Sequence, residues 1–151
     1  MTKTKSAYIW MALTFVGLSV LLGAVASMNL FQMPSAMGVV TMMIAGMVGG
    51  QRFYSQNDRV MAAKERFVFA LLGTLIMICL SMAMFFGLIA ALGGTLNGNT
   101  LSAALNIPAS DLWFVLGFGA LIVGAAGTAM TYLGIGIGQN NMKKAAGKKA
   151  G

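Results

Sequence analysis

Residues 49–67 read GGQRFYSQNDRVMAAKERF and concentrate charge in a chain that has little of it. This stretch contains four of the ten Lys and Arg residues and two of the three acidic residues of the 151-residue chain. On both sides lie long runs without any charged residue. Only 9% of the chain is charged and 58% is hydrophobic, whereas soluble domains carry about 25% charged residues. The composition therefore predicts one integral membrane domain.

Four apolar runs have the length of transmembrane helices, at residues 8–28, 33–50, 67–92 and 112–138. As a helix, the first would extend about 31 Å, which is the thickness of a hydrocarbon core. Strands of membrane barrels alternate apolar and polar residues, and these runs do not. The sequence thus predicts an all-α integral membrane protein. Residues 1–142 would form a four-helix transmembrane bundle, and residues 143–151 a flexible basic tail.

The basic residues predict the orientation of these helices. All of them precede the first run, separate the second from the third, or follow the fourth: Lys3, Lys5, Arg52, Arg59, Lys64, Arg66, Lys143, Lys144, Lys148 and Lys149. If both termini are cytoplasmic, every basic residue lies on the inner side, as the positive-inside rule requires. The stretch 49–67 would then be the cytoplasmic loop between the second and third helices.

One alternative concerns the first apolar run. Ala24 and Ala26 precede Ser27 in an A-x-A pattern, which is typical of signal-peptide cleavage sites. The apolar stretch 8–25 is longer than the usual signal-peptide core of about 7–15 residues, which favours a retained helix. Cleavage would leave three transmembrane helices with unchanged directions, and the residues themselves leave this alternative open.

Small residues recur at a spacing of four within the runs. They are Gly46 with Gly50, then Ala83, Gly87 and Ala91, then Ala120, Gly124 and Thr128, and finally Gly127 with Thr131. Such positions let two helix backbones approach closely. This pattern favours packing inside the bundle, and self-association is the alternative. The segment 134–138, GIGIG, resembles part of a dinucleotide fingerprint, but it ends a predicted membrane helix and does not follow a strand.

Residues that carry catalysis or bind ions are scarce. No Asp, Glu, Lys, Arg or His falls within the four runs, and the chain contains no histidine. Proton relays and ion sites in membranes generally need such residues, and hydroxyl groups alone provide no nucleophile–base pair. We therefore predict no enzymatic activity, no cofactor and no bound metal. Nucleic-acid binding is disfavoured, because the net charge of +7 does not form one basic patch.

The charge-rich stretch contains the best candidate for a specific polar site. Gly50 would let the second helix end close to the third, and Gln51 could cap exposed carbonyls. Arg52 and Glu65 would lie at similar depth on antiparallel helices, so we expect them to form an ion pair. Phe53 would lie at the membrane interface.

These residues also resemble a motif of a known family. A Gly-Gln-x-Phe group, a short basic loop and a Glu before the third helix are similar to the pattern of the ABZJ-type family of small, uncharacterised bacterial inner-membrane proteins with four predicted spans. The residues that carry the resemblance are Gly50, Gln51, Arg52, Phe53, Arg59 and Glu65. Family loops commonly have a proline after the mid-loop Arg, where this chain has Val60 and Met61. The resemblance implies a bacterial cytoplasmic membrane and no particular activity.

Three functions are compatible with these features. A structural or accessory membrane subunit, in a homo-oligomer or a larger complex, fits the small-residue positions and the uncharged runs. A small holin-like pore would need a continuous polar helix face, which no run has. A carrier of an uncharged or lipid-like solute is allowed by the residues without being supported by them. The lipid bilayer is the expected partner in each case.

Overall fold

The fold consists of α-helices. The computed structural model describes residues 2–27, 37–91, 102, 107–108 and 110–149. They form α1 (Thr2–Ser27), α2 (Met37–Asn57), α3 (Ala63–Ala91) and α4 (Leu112–Lys149). The predicted all-α class is therefore confirmed. The start of the predicted second run and most of the segment between the predicted third and fourth runs lie outside the described residues.

Three of these helices are long and apolar enough to cross a membrane, which indicates a membrane protein. The segments are Thr4–Ala26 in α1, Ala63–Ala91 in α3 and Leu112–Lys148 in α4. The described part of α2 has 21 residues, and its last third, QRFYSQN, is largely polar. The apolar part of α2 described by the structure is correspondingly short.

Two helix ends differ from the sequence-based boundaries. α4 continues to Lys149, so the basic segment 143–149 is helical, whereas the sequence predicted a flexible tail there. Its Ala and Lys residues are good helix formers, which accounts for the extension. α2 ends at Asn57, and the next residue, Asp58, adopts a left-handed conformation with φ of 50°. The Asp58 N–H donates to the Tyr54 carbonyl at 2.8 Å, as is common at helix C-termini.

The helices pack side by side in the order α1, α2, α4, α3, and the most extensive contact is between α2 and α4. α2 and α3 lie diagonally and barely touch. The start of α1, the end of α2, the start of α3 and the end of α4 meet at one end of the bundle. We call this end, which carries Lys5, Arg52, Arg59, Lys64 and Lys143, the charged end.

Glycines on α2 bring its backbone against that of α4. A Cβ atom placed on Gly46 would lie 2.6 Å from the Thr131 carbonyl oxygen. One placed on Gly50 would lie 2.5 Å from the Ile135 carbonyl oxygen. Any side chain at either position would therefore force the two helices apart. Because both pairs advance in the same direction along the chain, α2 and α4 run parallel.

α4 contributes a second pair of glycines to the same contact. A Cβ on Gly134 would overlap the backbone of Met43, and one on Gly138 would overlap the backbone of Met47. The segment 134–138 is thus a GxxxG helix-packing pair. Its resemblance to a dinucleotide fingerprint reflects the glycine spacing alone.

The α2–α4 contact is reciprocal. The pattern Gly-x-x-x-Gly-Gln occurs at residues 46–51 of α2 and again at residues 134–139 of α4. Gly46 faces Thr131, which lies three positions before Gly134. In the same way Gly134 faces Met43, which lies three positions before Gly46. A local pseudo-twofold axis therefore runs between α2 and α4. It does not extend to α1 and α3, which lie on the same side of this pair and touch each other: the Tyr8 ring stacks on the Phe69 ring at a centroid distance of 4.1 Å.

The core lies in the half of the bundle nearest the charged end. It contains Ala7, Met11, Phe15, Met42, Ala45, Phe53, Met61, Phe69, Ala70, Met77 and Ile135. Methionines fill gaps that glycines leave, as their flexible thioethers allow. The Met11 sulfur lies 3.2 Å from the position a Cβ would take on Gly49, and its methyl group lies against Gly73.

The half of α3 farthest from the charged end does not pack as the sequence predicted. Ala83, Gly87 and Ala91 are exposed, and within the described bundle a Cβ on Gly87 would have no neighbour within 4 Å. α3 contacts its neighbours through Phe69, Ala70, Gly73, Thr74 and Met77, which lie nearer its start. The prediction that this small-residue stripe packs inside the bundle is wrong for the described residues.

The glycine contacts can be tested by adding a single methyl group. We expect Gly134→Ala to lower the stability of the bundle by about 1–3 kcal/mol, because overpacking would displace the Met43 backbone. Thermal unfolding in a mild detergent would measure the loss. Gly87→Ala is the matched control. It should melt at or above the wild-type temperature, since Ala favours a helix by up to about 1 kcal/mol over Gly. Equal melting of the two variants would contradict the packing described above.

Candidate functional site at the charged end

Hydrogen bonds join the helices at the charged end. The Gln56 side-chain amide donates to the Ser6 hydroxyl at 3.0 Å, which ties the end of α2 to the start of α1. The Met61 backbone N–H donates to the Gln139 side-chain oxygen at 3.3 Å, which ties the α2–α3 loop to α4. The polar residues of this end are therefore held by contacts between helices.

Arg59 and Glu65 form a two-pronged ion pair across the loop. The Arg59 Nη1 and Nη2 atoms each lie 2.7 Å from a Glu65 carboxylate oxygen. The hydrogen bond to Glu65 raises the pKa of Arg59 above its usual value. The guanidinium also lies over the Phe53 ring, with Cζ 5.2 Å from the ring centroid. Because Glu65 lies in the first turn of α3, this contact fastens α3 to the end of α2.

Arg52 does not pair with Glu65, so that prediction is wrong. The Glu65 carboxylate is occupied by Arg59. The Arg52 guanidinium instead lies over the Trp10 ring of α1, with Cζ 5.4 Å from the ring centroid. The physical reason is the diagonal placement of α2 and α3. Similar depth in the bundle does not bring two side chains together when their helices are not neighbours.

Gly50 and Phe53 also lie elsewhere than expected. Gly50 meets the Ile135 backbone of α4, and not the third helix. Phe53 is a core residue and is 2% exposed, whereas the sequence placed it at the membrane interface. Its ring contacts the Phe69 ring edge to face, at a centroid distance of 6.3 Å. This geometry favours aromatic pairs beyond the area they bury.

Gln51 is half-buried at the α2–α4 contact. Its backbone nitrogen lies 3.1 Å from the position that a Cβ would take on Gly138. Its side chain lines a shallow cleft together with Trp10, Arg52 and Met142. The predicted site residues thus separate into two groups. Phe53, Arg59 and Glu65 lie at the α2–α3 loop, and Gly50, Gln51 and Arg52 lie along α2 against α4 and α1.

Gln139 is a buried polar residue that the sequence analysis missed. Its side chain is 0% exposed and accepts the hydrogen bond from Met61. Its Nε2 atom has no hydrogen-bond partner among the described residues. Gln139 closes the second Gly-x-x-x-Gly-Gln pattern as Gln51 closes the first. That repeat is the signal that could have identified it.

Arg66 is the second residue whose role the sequence left unrecognised. Its guanidinium lies between α3 and α4, over the Tyr132 ring, with Cζ 5.1 Å from the ring centroid. Its Nη1 atom lies 2.9 Å from the position that a Cβ would take on Gly136. The absence of a side chain at Gly136 therefore makes space for the guanidinium. The Arg66 Nε atom is buried and has no hydrogen-bond partner within the part of the chain described.

Carboxylates are too few to balance these cations. The chain has only three acidic residues. Glu65 is bound to Arg59, Asp111 precedes α4 at the opposite end of the bundle, and Asp58 is exposed after α2. In the described ranges, no group of three or more His, Cys, Asp or Glu residues is placed to hold a metal ion. The chemistry available at the charged end is binding of anions and hydrogen-bonding groups by guanidinium and amide donors.

A double-mutant cycle would distinguish the observed ion pair from the one that the sequence predicted. We expect Arg59→Glu and Glu65→Arg each to lower the melting temperature, and the double variant to recover part of the loss. The effect should be small and should shrink in high salt, because both side chains are exposed to solvent. The matched control is the cycle of Arg52→Glu with Glu65→Arg, which should show no coupling. Coupling in the control cycle alone would contradict the geometry described here.

The chain matches no protein-family model, no curated protein and no solved structure. The resemblance to the ABZJ-type family accordingly stays a prediction, and the fold and the charged end are interpreted from their own geometry.

Proposed function

We propose that the chain is a structural or accessory protein of a bacterial cytoplasmic membrane, with four transmembrane helices and both termini in the cytoplasm. The main support is the backbone contact between α2 and α4. Because α2 runs parallel to α4 and touches it from Met43 to Gln51, the two helices share the same depth. If α4 crosses a membrane, α2 lies beside it as the fourth transmembrane helix.

The proposed orientation follows from charge. Lys and Arg residues lie only at the charged end and in segments that flank it, and the opposite end carries Asp111 without any basic residue. Loops with excess Lys and Arg remain on the cytoplasmic side of bacterial membranes. The charged end is therefore assigned to the cytoplasm.

An accessory role is favoured over a pore by the way the interior is filled. The hydroxyl groups within the bundle are already bonded: Thr41 donates to Met37, Thr128 donates to Gly124, and Thr74 donates to Thr131 at 3.2 Å. Together with the glycine contact between α2 and α4, this leaves no polar path along the described interior. A pore would require such a path within one chain or a polar face shared between copies.

The partner of an accessory subunit would dock on α3. Ala83, Gly87 and Ala91 are exposed and spaced four residues apart, which is the pattern that lets two membrane helices pack closely. The bundle itself leaves this stripe free among its described residues. We therefore assign this stripe as the surface on which a helix of another membrane protein packs.

The topology can be tested with reporter fusions. Reporters placed after residue 30 and after residue 100 should report the periplasm, and one placed after residue 58 should report the cytoplasm. The physical reason is that, of the three segments between the predicted helices, only the one around residue 58 carries basic charge. A cytoplasmic signal from residue 100 would contradict the four-helix topology.

The accessory role can be tested by purification in native nanodiscs followed by mass spectrometry. We expect a partner in fixed stoichiometry with the wild-type chain, and its loss with Gly87→Leu, because a large side chain would block close helix approach. Gly117→Leu is the matched control, since a Cβ on Gly117 also has no neighbour within 4 Å among the described atoms. Both variants should melt as the wild type does. A pure homo-oligomer that conducts ions would instead support a pore.

A further inference from the structure

A groove runs along the surface of the bundle between α3 and α4. It has a volume of about 890 Å³, within the range of about 300–1,000 Å³ that ligand sites occupy. Leu71, Leu75 and Ile78 of α3 form one wall, and Gly124 and Thr128 of α4 form part of the floor. The Thr128 hydroxyl is bonded to the Gly124 carbonyl, so the floor presents apolar surface.

The groove exists because α4 has small residues where it passes α3. A Cβ on Gly124 would be 4.0 Å from the Ile78 side chain, and Ala120 continues the same stripe. The sequence suggested that these small residues bring helices together. In the structure they leave the groove, which is open along the side where Leu121 and Leu133 are exposed.

A cation lies beside the groove at the charged end. Tyr132 lines the groove, and the Arg66 guanidinium lies over its ring. Arg66 is the fourth residue of α3, at the charged end, and the structure gives it no carboxylate partner among the described residues. Its buried Nε has no partner there either. The groove is therefore lined by apolar residues, and at the charged end it lies next to an arginine that has no acidic partner among the described residues.

We propose that this groove binds one anionic phospholipid, with an acyl chain along the groove and the phosphate at Arg66. From Ala120 to Leu133 the groove extends about 20 Å along α4, and one leaflet of a hydrocarbon core is about 15 Å thick. An acyl chain that starts at the charged end thus fits its length. Guanidinium groups bind phosphate through paired hydrogen bonds.

Charge favours a lipid over a second copy of the chain as the occupant. A copy in the same membrane orientation would bring its own Arg59, Lys64 and Arg66 to the same depth. With a net charge of +7 and only three acidic residues, it offers almost no carboxylate to Arg66. An anionic headgroup provides the missing negative charge and also replaces the hydration of the guanidinium.

The experiment is native mass spectrometry of the full chain in detergent, titrated with phosphatidylglycerol or with phosphatidylcholine of the same acyl chains. We expect one phosphatidylglycerol to be retained at concentrations at which phosphatidylcholine is lost. Arg66→Gln should weaken phosphatidylglycerol binding at least tenfold. Arg52→Gln is the matched control, because Arg52 also lies over an aromatic ring but does not border the groove, and it should bind as the wild type does.

A second pair of variants tests the groove without removing charge. Gly124→Leu should fill the groove and weaken phosphatidylglycerol binding, and Gly117→Leu, on the same helix outside the groove, should leave it unchanged. Melting curves would verify that each variant is folded, and Arg66→Lys would retain the charge if Arg66→Gln does not fold. Glycerol phosphate, which has a headgroup but no acyl chain, should compete poorly.

Three outcomes would overturn the proposal. The first is wild-type phosphatidylglycerol binding in both Arg66→Gln and Gly124→Leu. The second is equal competition by glycerol phosphate, which would indicate an anion site without an acyl chain. The third is a dimer that Gly124→Leu converts to a monomer with unchanged lipid retention, which would make the groove an interface between copies. Detergent exposes both ends of the bundle, so the result does not depend on the proposed membrane orientation.

Discussion

The contact between the backbones of α2 and α4 is the constraint on which the rest of the structure depends. In a lipid environment hydrophobic burial does not draw helices together, so close packing and weak polar contacts must do so. Gly46, Gly50, Gly134 and Gly138 allow carbonyl oxygens and Cα atoms of the two helices to meet. Contacts of the Cα–H···O type contribute about 0.5–1 kcal/mol each. α1 then packs on α2 and α3 packs on α4, and α1 and α3 also touch each other. Their positions fix the surfaces at the charged end.

The arrangement of charge at that end follows from which helices are neighbours. α2 lies between α1 and α4, so Arg52 reaches Trp10 and cannot reach α3. Arg59 is in the loop, where it can reach both Phe53 and Glu65. Arg66 points toward α4 and finds space only because residue 136 is glycine. Three arginines in one short stretch of sequence thus have three separate environments: a ring on α1, a carboxylate on α3 and a ring on α4.

Composition and run length were sufficient to predict the helical class and three of the four expected membrane-crossing helices, because both depend on local sequence alone. Pairings between helices could not be predicted in the same way. The expected Arg52–Glu65 pair assumed that consecutive helices are neighbours, and the diagonal placement of α2 and α3 removes that basis.

The GxxxG pair at Gly46 and Gly50 was recognised without its partner. The matching pair at Gly134 and Gly138 was set aside, although the repeated glutamine after each pair indicates that the two belong together. Small residues also proved ambiguous: those at 46 and 50 bring helices into contact, and those at 120 and 124 leave a groove.

The repeated Gly-x-x-x-Gly-Gln pattern gives the α2–α4 contact the geometry of a symmetric helix dimer whose two copies belong to one chain. In a true dimer of identical helices, each surface would occur twice, and a substitution that created a site on one copy would create it on the other. A single chain is free of that restriction. Position 48 of α2 is equivalent to position 136 of α4 and carries a valine. Val48 borders the cleft that contains Arg52, whereas Gly136 leaves space against the backbone for the Arg66 guanidinium. Two helices with the same packing pattern therefore keep a common contact, while the helix with glycine at this position acquires a recess for a cation.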